Sequence, residues 1–370
     1  MTSNFEKPEY RLRLFLSVDL TGSTAFKSKS DINNLQWLKA FQKFYGEFPS
    51  LFMEKYKSIC DKAVEISGTE KELNPKVWKT IGDEILFVNR VHSITHLGVY
   101  VQAFCESLKA FGSEINVTFD LNTKGNGWIA AFPNPNCSIF LSKNGDEDPL
   151  SGIGDILTED VEIAVDKNPS AYDFLGKGID GGFRISRNST IDAFTVSPAL
   201  AYLLSRAKRN VETTGFDCEF QFHEPQQLKG VANGNFYPIV SIDTNRDKTQ
   251  KAIKVLEAKL LQKPEFANHD ELCEYLELYM DYNGIEKPSL KLSFGGAPVD
   301  EPKHYSEYIE QWESEVEKIK SAEAFEDEAE STVNANGAGE AVGNTDEALK
   351  TAQLLLKAWL DSGKRDKAKK

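Results

Sequence analysis

Two apolar runs in this chain each lead onto an aspartate, and that constrains the fold more than any other feature. In FLSVDLTGST (15–24) a run of buried-type residues ends on Asp19 and passes into a loop of glycine and small hydroxyl residues. In WKTIGDEILFV (78–88) apolar residues flank Gly82-Asp83, the pattern of a hairpin whose turn holds that pair. A carboxylate at the end of a buried strand is costly unless something nearby requires it.

The rest of the pattern says how the two aspartates meet. RLRLFLSVD (11–19) alternates and then turns apolar, which predicts a strand. Leu38, Phe41, Tyr45, Phe48 and Phe52 recur at three and four, which predicts a helix packed on a sheet. After the hairpin of 77–91, SITHLGVYVQAFCESLKAFG (93–112) has helical spacing and a stop at Gly112, and EINVTFDL and WIAAF read as strands. GKGIDGGFRISRN (176–188) and PALAYLLSRAKRN read as helices, and CEFQFHEPQQLKG and NFYPIVSID as closing strands. The order predicts an α+β fold with a ferredoxin-like βαββαβ core. In that topology the first strand lies antiparallel to the third, so the end of one is level with the start of the other. Asp19 and Asp83 then reach one spot.

Past about Asp243 the chain turns helical. The expected organisation is a sheet-containing domain over 1–243, a C-terminal helical extension over 244–330, a small-residue linker over 331–344, and an amphipathic helix with a basic tail over 345–370. The net charge is −14, and residues 301–350 hold fourteen acids and four lysines, so most of the excess is local. No basic stripe is present, which argues against nucleic acid as a partner. No apolar run is long enough to cross a bilayer, and the N-terminus has no apolar signal core, so a cytoplasmic protein without membrane insertion is expected. Five scattered cysteines (Cys60, Cys105, Cys137, Cys218, Cys273) fit reduced thiols. His92 and His96 sit a turn apart without a ligand pattern around them.

Two carboxylates on adjacent strands repel, and divalent metal relieves this. A pair of Mg²⁺ or Mn²⁺ ions about 3.5–4 Å apart can clamp the attacking and leaving oxygens of a phosphoryl transfer. Gly22, Ser23 and Thr24 leave backbone N–H groups open to phosphate oxygens. Asp180 and Arg184, four apart on a helical segment, share a face, as a surface ion pair or as groups facing a phosphate.

FLSVDLTGST and WKTIGDEILFV, followed by AYDFLGKGIDGGFRIS (171–186) and the LKG of Leu228–Gly230, resemble the class III nucleotidyl cyclase catalytic domain. WIAAFP (128–133) and GKGIDGGFR are similar to the pyrimidine cyclases of bacterial anti-phage signalling, the Pycsar systems. The resemblance implies Asp19 and Asp83 as metal ligands, with the Leu20 carbonyl assisting and two Mg²⁺ or Mn²⁺ ions per site. It implies Lys79 and Asp173 as base contacts, Arg184 as the transition-state arginine and Lys229 as a triphosphate ligand. Asp180 stands where purine cyclases have Asn; an ionised carboxylate cannot donate a hydrogen bond, so ribose contacts differ there. The implied reaction is attack of the ribose 3′-oxygen on the α-phosphorus of a nucleoside triphosphate, giving a 3′,5′-cyclic monophosphate and pyrophosphate. The implied assembly is a head-to-tail homodimer, one chain supplying the metal carboxylates and the other the base pocket and arginine of each cleft.

Lys79 and Asp173 suit more than one base. UTP is favoured on the resemblance, then CTP, then ATP, and Phe44 and Tyr45 are candidates for narrowing the pocket. A catalytically inactive nucleotide-binding regulator is the rival reading; a dinucleotide cyclase of the GGDEF type lacks support because the second glycine is missing. A separate effector would sense the product.

Overall fold

The computed structural model describes residues 5–29, 35–63, 66, 68–71, 73–140, 157–231 and 234–335. The elements in chain order are β1 (Arg11–Thr21), α1 (Ser23–Lys29), α2 (Gln36–Cys60), α3 (Gly68–Lys71), β2 (Val77–Ile81), β3 (Glu84–Val91), α4 (Ile94–Phe119), β4 (Asn122–Phe132) and β5 (Cys137–Phe140). There follow α5 (Glu159–Lys167), β6 (Tyr172–Leu175), α6 (Lys177–Ile185), β7 (Ala193–Val196), α7 (Pro198–Lys208), α8 (Val211–Thr214), β8 (Phe220–Gln227) and β9 (Phe236–Asp243). Three helices close the described chain: α9 (Lys248–Leu260), α10 (His269–Tyr282) and α11 (Lys303–Ala335).

Seven strands form one mixed sheet in the order β2-β3-β1-β4-β7-β9-β8. Its first four strands have the expected ferredoxin-like arrangement, with β1 central and antiparallel to both β3 and β4. The alternation in β1 sorts the two faces. Leu12, Leu14, Leu16, Val18 and Leu20 join α2, α4 and α7 in the main core, where Phe44, Phe48, Phe52 and Phe104 interlock. The odd residues face the other way, where Phe15 packs with Trp78, Leu86, Trp128 and Phe174 in a second cluster. At the start of β1 that second face carries charge. Arg11 and Arg13 are fully buried and pair with Glu159, Glu162 and Asp166 of α5. These pairs dock α5 against the sheet, since a buried arginine left without its carboxylate is costly.

Several expectations change. α4 does not stop at Gly112; it runs to Phe119 and ends at Asp120 in the left-handed region (φ 55°). A Cβ on Gly112 would collide with the Arg246 guanidinium and Thr123, so this glycine admits a neighbour into the helix side and ends nothing. The segment EINVTFDL, expected as a strand, is therefore mostly helix. Its alternating Ile115, Val117 and Phe119 imitate a strand, but Ile115 is buried and Val117 faces water. β7, the short AFTV segment, goes unread in the sequence; it pairs parallel with β4 and antiparallel with β9.

Phe5–Glu313 form one compact unit, and residues 314–335 belong to a second. Within the first, Leu272, Cys273, Leu276 and Met280 of α10 belong to the main core, so part of the region read as a helical extension shares that core. α11 takes in the first five residues of the segment read as a linker. The rest of that segment and the helix and tail over 345–370 lie outside the described residues. Among the described residues no helix is long and apolar enough to cross a membrane.

His92 and His96 belong to a buried hydrogen-bond chain. The His92 N–H donates to His96 Nδ1 (3.3 Å), so His96 carries its proton on Nε2, 3.1 Å from the Tyr56 hydroxyl, which donates to the Glu70 carbonyl (2.6 Å). Burial lowers His92 from 6.5 to about 4, and also holds His96 well below 6.5. Both are neutral when folded, so the unfolded chain binds their protons first. The stability that depends on their neutral form is complete above pH 6.5 and is lost as pH falls towards 4. For His92 alone this is worth about 3 kcal/mol. Melting temperatures measured across that window should fall with acid, and His92→Gln should flatten the fall; an unchanged slope would show that other groups control acid unfolding.

Candidate active site

The two aspartates meet as the topology requires. Asp19 pairs in register with Glu84 at the start of β3, and Asp83 is the turn residue immediately before it. The Leu20 N–H donates to the Asp83 carbonyl (3.1 Å), which ties the end of β1 to that turn. The Ser23 hydroxyl, at the start of α1, donates to Asp83 Oδ2, and the Tyr45 hydroxyl donates to the Gly82 carbonyl. The turn is thus held from both sides. Ser23 is buried and serves Asp83, whereas Gly22 and Thr24 are exposed beside it.

Asp19, Glu84 and Lys124 lie on one rung of the sheet: Asp19 faces Glu84 on β3 and Lys124 on β4. Lys124 Nζ is 3.1 Å from Asp19 Oδ2. Burial raises the Asp19 carboxyl above its ordinary value; Lys124 pulls it down and the charge of Asp83 pushes it up again. Glu84, which accepts from the Ser17 hydroxyl, is also raised, by burial and then by Asp19 and Asp83. Three carboxylates thus sense one another, with a single lysine among them on this rung. Neither Glu84 nor Lys124 figures among the residues expected from sequence. Glu84 follows Asp83 directly in the GDE turn, so a signal was present. Lys124 falls in a stretch with no readable period, and only the β1–β4 register reveals it.

Lys79 and Asp173 also come together. Lys79 pairs in register with Leu86 and so shares the second face of the sheet with Asp19 and Glu84. Its Nζ is 2.8 Å from Asp173 Oδ1 on β6 and lies 4.0 Å from the centroid of the Trp78 ring. Both charged groups are about a third exposed, at 35% and 34%, so this pair is open to a ligand from solvent. Phe44 and Tyr45 do not narrow it. Phe44 is in the main core on the opposite face, and the Tyr45 hydroxyl is engaged at the Gly82 turn.

α6 rests on the same face further along β4. Any Cβ on Gly182 would enter the Trp128 ring, and Asn126 Nδ2 donates to the Gly182 carbonyl (3.3 Å). Trp128 is four residues from Lys124, roughly 13 Å along a strand. Asp180 is exposed on α6, and Arg184 follows one turn later with its Nη1 buried and without a hydrogen-bond partner. The turn of Leu228–Gly230 lies against this arginine: a Cβ on Gly230, whose φ is +70°, would sit 2.6 Å from Arg184 Nη1. Lys229 is exposed on that turn. The structure therefore makes three local groupings on one face of the sheet: Asp19–Asp83–Glu84–Lys124, Lys79–Asp173, and Arg184 with the Lys229 turn. Among the described residues, no group of three His, Cys, Asp or Glu side chains is placed to hold a metal ion unaided.

No protein-family model matches the chain, and no curated protein matches it. Solved structures with a similar outline are adenylyl and guanylyl cyclases. The adenylyl cyclase CyaB from P. aeruginosa is 9% identical, with 63% of this chain and 94% of that chain covered at a TM-score of 0.39. The guanylate cyclase domain of RhGC from Catenaria anguillulae, in complex with GTP, is 14% identical, with 65% and 100% covered at 0.38. A bacterial light-regulated adenylyl cyclase is 7% identical, with 74% and 58% covered at 0.38. Identity and superposition are both too low for these likenesses to carry a functional argument.

Proposed function

We propose that this chain is a nucleotidyl cyclase, converting UTP to 3′,5′-cyclic UMP and pyrophosphate in bacterial anti-phage signalling, with a separate effector for the product. One observation carries the reading: Asp19 and Asp83, far apart in sequence, converge at the end of one strand, where each is fixed by the backbone and side chains around it.

The donor set suits Mg²⁺ or Mn²⁺, since Asp19 and Asp83 supply hard carboxylate oxygens, which the Leu20 carbonyl would assist. Burial first, and then the charge of Asp83, raise the Asp19 carboxyl; a bound cation would relieve both, and Lys124 relieves them only in part. The metal ions, when bound, supply Lewis acidity at the 3′-hydroxyl and at the triphosphate. The side chains do the rest. Asp19 and Asp83 would hold the cations. Lys124 leaves Asp19 and turns its ammonium to a phosphate oxygen. Lys79 donates to a base carbonyl or ring nitrogen, and Asp173 accepts from a ring N–H or an exocyclic amine. Asp180 accepts from a ribose hydroxyl. Arg184, with Nη1 lacking a partner in the protein, takes up charge on the α-phosphoryl oxygens as the 3′-hydroxyl gives its proton to water, its oxygen bonds to phosphorus and the bond to pyrophosphate breaks. Lys229 and the exposed backbone at Gly22 and Thr24 hold the triphosphate.

A C₂ homodimer with two shared clefts fits the separation of the carboxylate rung from α6 along β4. The resemblance of WIAAFP and GKGIDGGFR to pyrimidine cyclases supports UTP; Lys79 and Asp173 alone also suit CTP and ATP. Incubation with each of the four ribonucleoside triphosphates and Mn²⁺, read by mass detection of cyclic products, tests this. Cyclic UMP is the expected product. Cyclic CMP or AMP would move the base assignment, and no cyclic product from any triphosphate would leave the rival reading, an inactive nucleotide-binding regulator.

A further inference from the structure

Helix α9 leaves its widest apolar stripe in water. Over Lys248–Leu260 it buries no residue. On a wheel of about 100° per residue, Ala252, Leu256, Thr249, Leu260 and Ile253 share one arc of about 100°. That arc faces water: Ile253 is 49% exposed, Leu256 59% and Leu260 83%. The opposite side turns Val255 and Ala258, both half-buried, to the protein together with two lysines. Lys254 pairs with Asp192 (3.2 Å) and Lys251 with Asp243 (3.5 Å). An amphipathic helix that packs by its stripe would do the reverse. Val255, Ala258 and the two ion pairs seat the helix, and the apolar stripe is left outward.

The borders of the stripe say what covers it. Lys248 and Lys259 flank it on one side and Lys263 lies just beyond its end, all exposed; Gln250 and Glu257 flank the other side. This is a local cationic border in a chain of net charge −14. A second copy laid antiparallel on the stripe would set Lys248 and Lys259 of one chain beside those of the other, which like charges oppose.

We propose that α9 is an interfacial helix that lays Ile253, Leu256 and Leu260 into an anionic phospholipid surface. Apolar side chains enter the acyl boundary while Lys248, Lys259 and Lys263 keep their ammonium groups at the anionic headgroups. The protein lies on the membrane without crossing it. The proposal is independent of the cyclase reading, because no residue of that site is used.

Sedimentation of the full chain with vesicles of phosphatidylcholine, with and without phosphatidylglycerol, tests it. Phosphatidylglycerol should raise binding about tenfold or more. The double variant L256E/L260E should lose binding to both vesicle types, and K248E/K259E should lose the preference for phosphatidylglycerol. Both should keep the parent melting temperature, since the altered residues face water. Failure of the parent to pellet with anionic vesicles overturns the proposal. So does equal pelleting of L256E/L260E, which would assign binding elsewhere, for example to the basic tail. A halved mass of L256E/L260E by light scattering also overturns it, because the stripe would then join two copies.

Discussion

Asp19→Asn is expected to lower cyclic-nucleotide formation about 10³-fold while leaving the melting temperature at or above that of the parent. The loss follows from the role of Asp19, since an amide is a poor ligand for Mg²⁺ or Mn²⁺ and cannot balance their charge. The stability half follows from the raised carboxyl. A group that binds its proton more tightly when folded stabilises the fold while protonated, and that contribution is lost as pH rises from the ordinary value of 3.8 through the raised one. At neutral pH the ionised Asp19 therefore costs the folded state something, even with Lys124 beside it. Asparagine removes that cost and keeps an oxygen for Lys124. The same reasoning predicts that Mn²⁺ raises the parent's melting temperature at neutral pH and does so far less for Asp19→Asn. A marked drop in melting temperature for the variant, or retained turnover, would show that Asp19 is a structural carboxylate.

Arg184→Ala should reduce turnover by about 10³-fold or more, in the range that charge-neutralising arginines supply to phosphoryl transfer. Asp19→Ala should be equally inactive. A mixture of the two should recover activity, because a mixed dimer has one cleft with both defects and one with neither. Random pairing of equal amounts makes half of the dimers mixed, so about a quarter of parental activity is expected. Turnover should also fall in Gly230→Ala, whose added methyl meets Arg184 Nη1 and whose backbone sits in the left-handed region. Dimers that form but recover nothing would refute the shared cleft. They would leave the metal assignment standing on the Asp19→Asn result.

The core topology was legible because its signals are local and strong. β1, the hairpin at Gly82-Asp83 and the order of elements suffice to place β1 beside β3, and with it Asp19 beside Asp83. Lys79 and Asp173 were legible separately, through the motifs, and the 2.8 Å contact between them was not. The extent of α4 was not legible either, since Gly112 serves Arg246, a residue more than a hundred positions away. β7 is too short to announce itself and owes its existence to strands on both sides of it.

Sequence by itself therefore determined which carboxylates end up at the head of the sheet, because alternation and turn chemistry act over a few residues and fix strand order between them. Only the tertiary structure decided that Lys124 stands against Asp19, that Gly230 yields its space to Arg184, and that α9 turns its leucines to water. Each of those depends on register or on ion pairs between distant segments, and neither leaves a periodic trace in the chain.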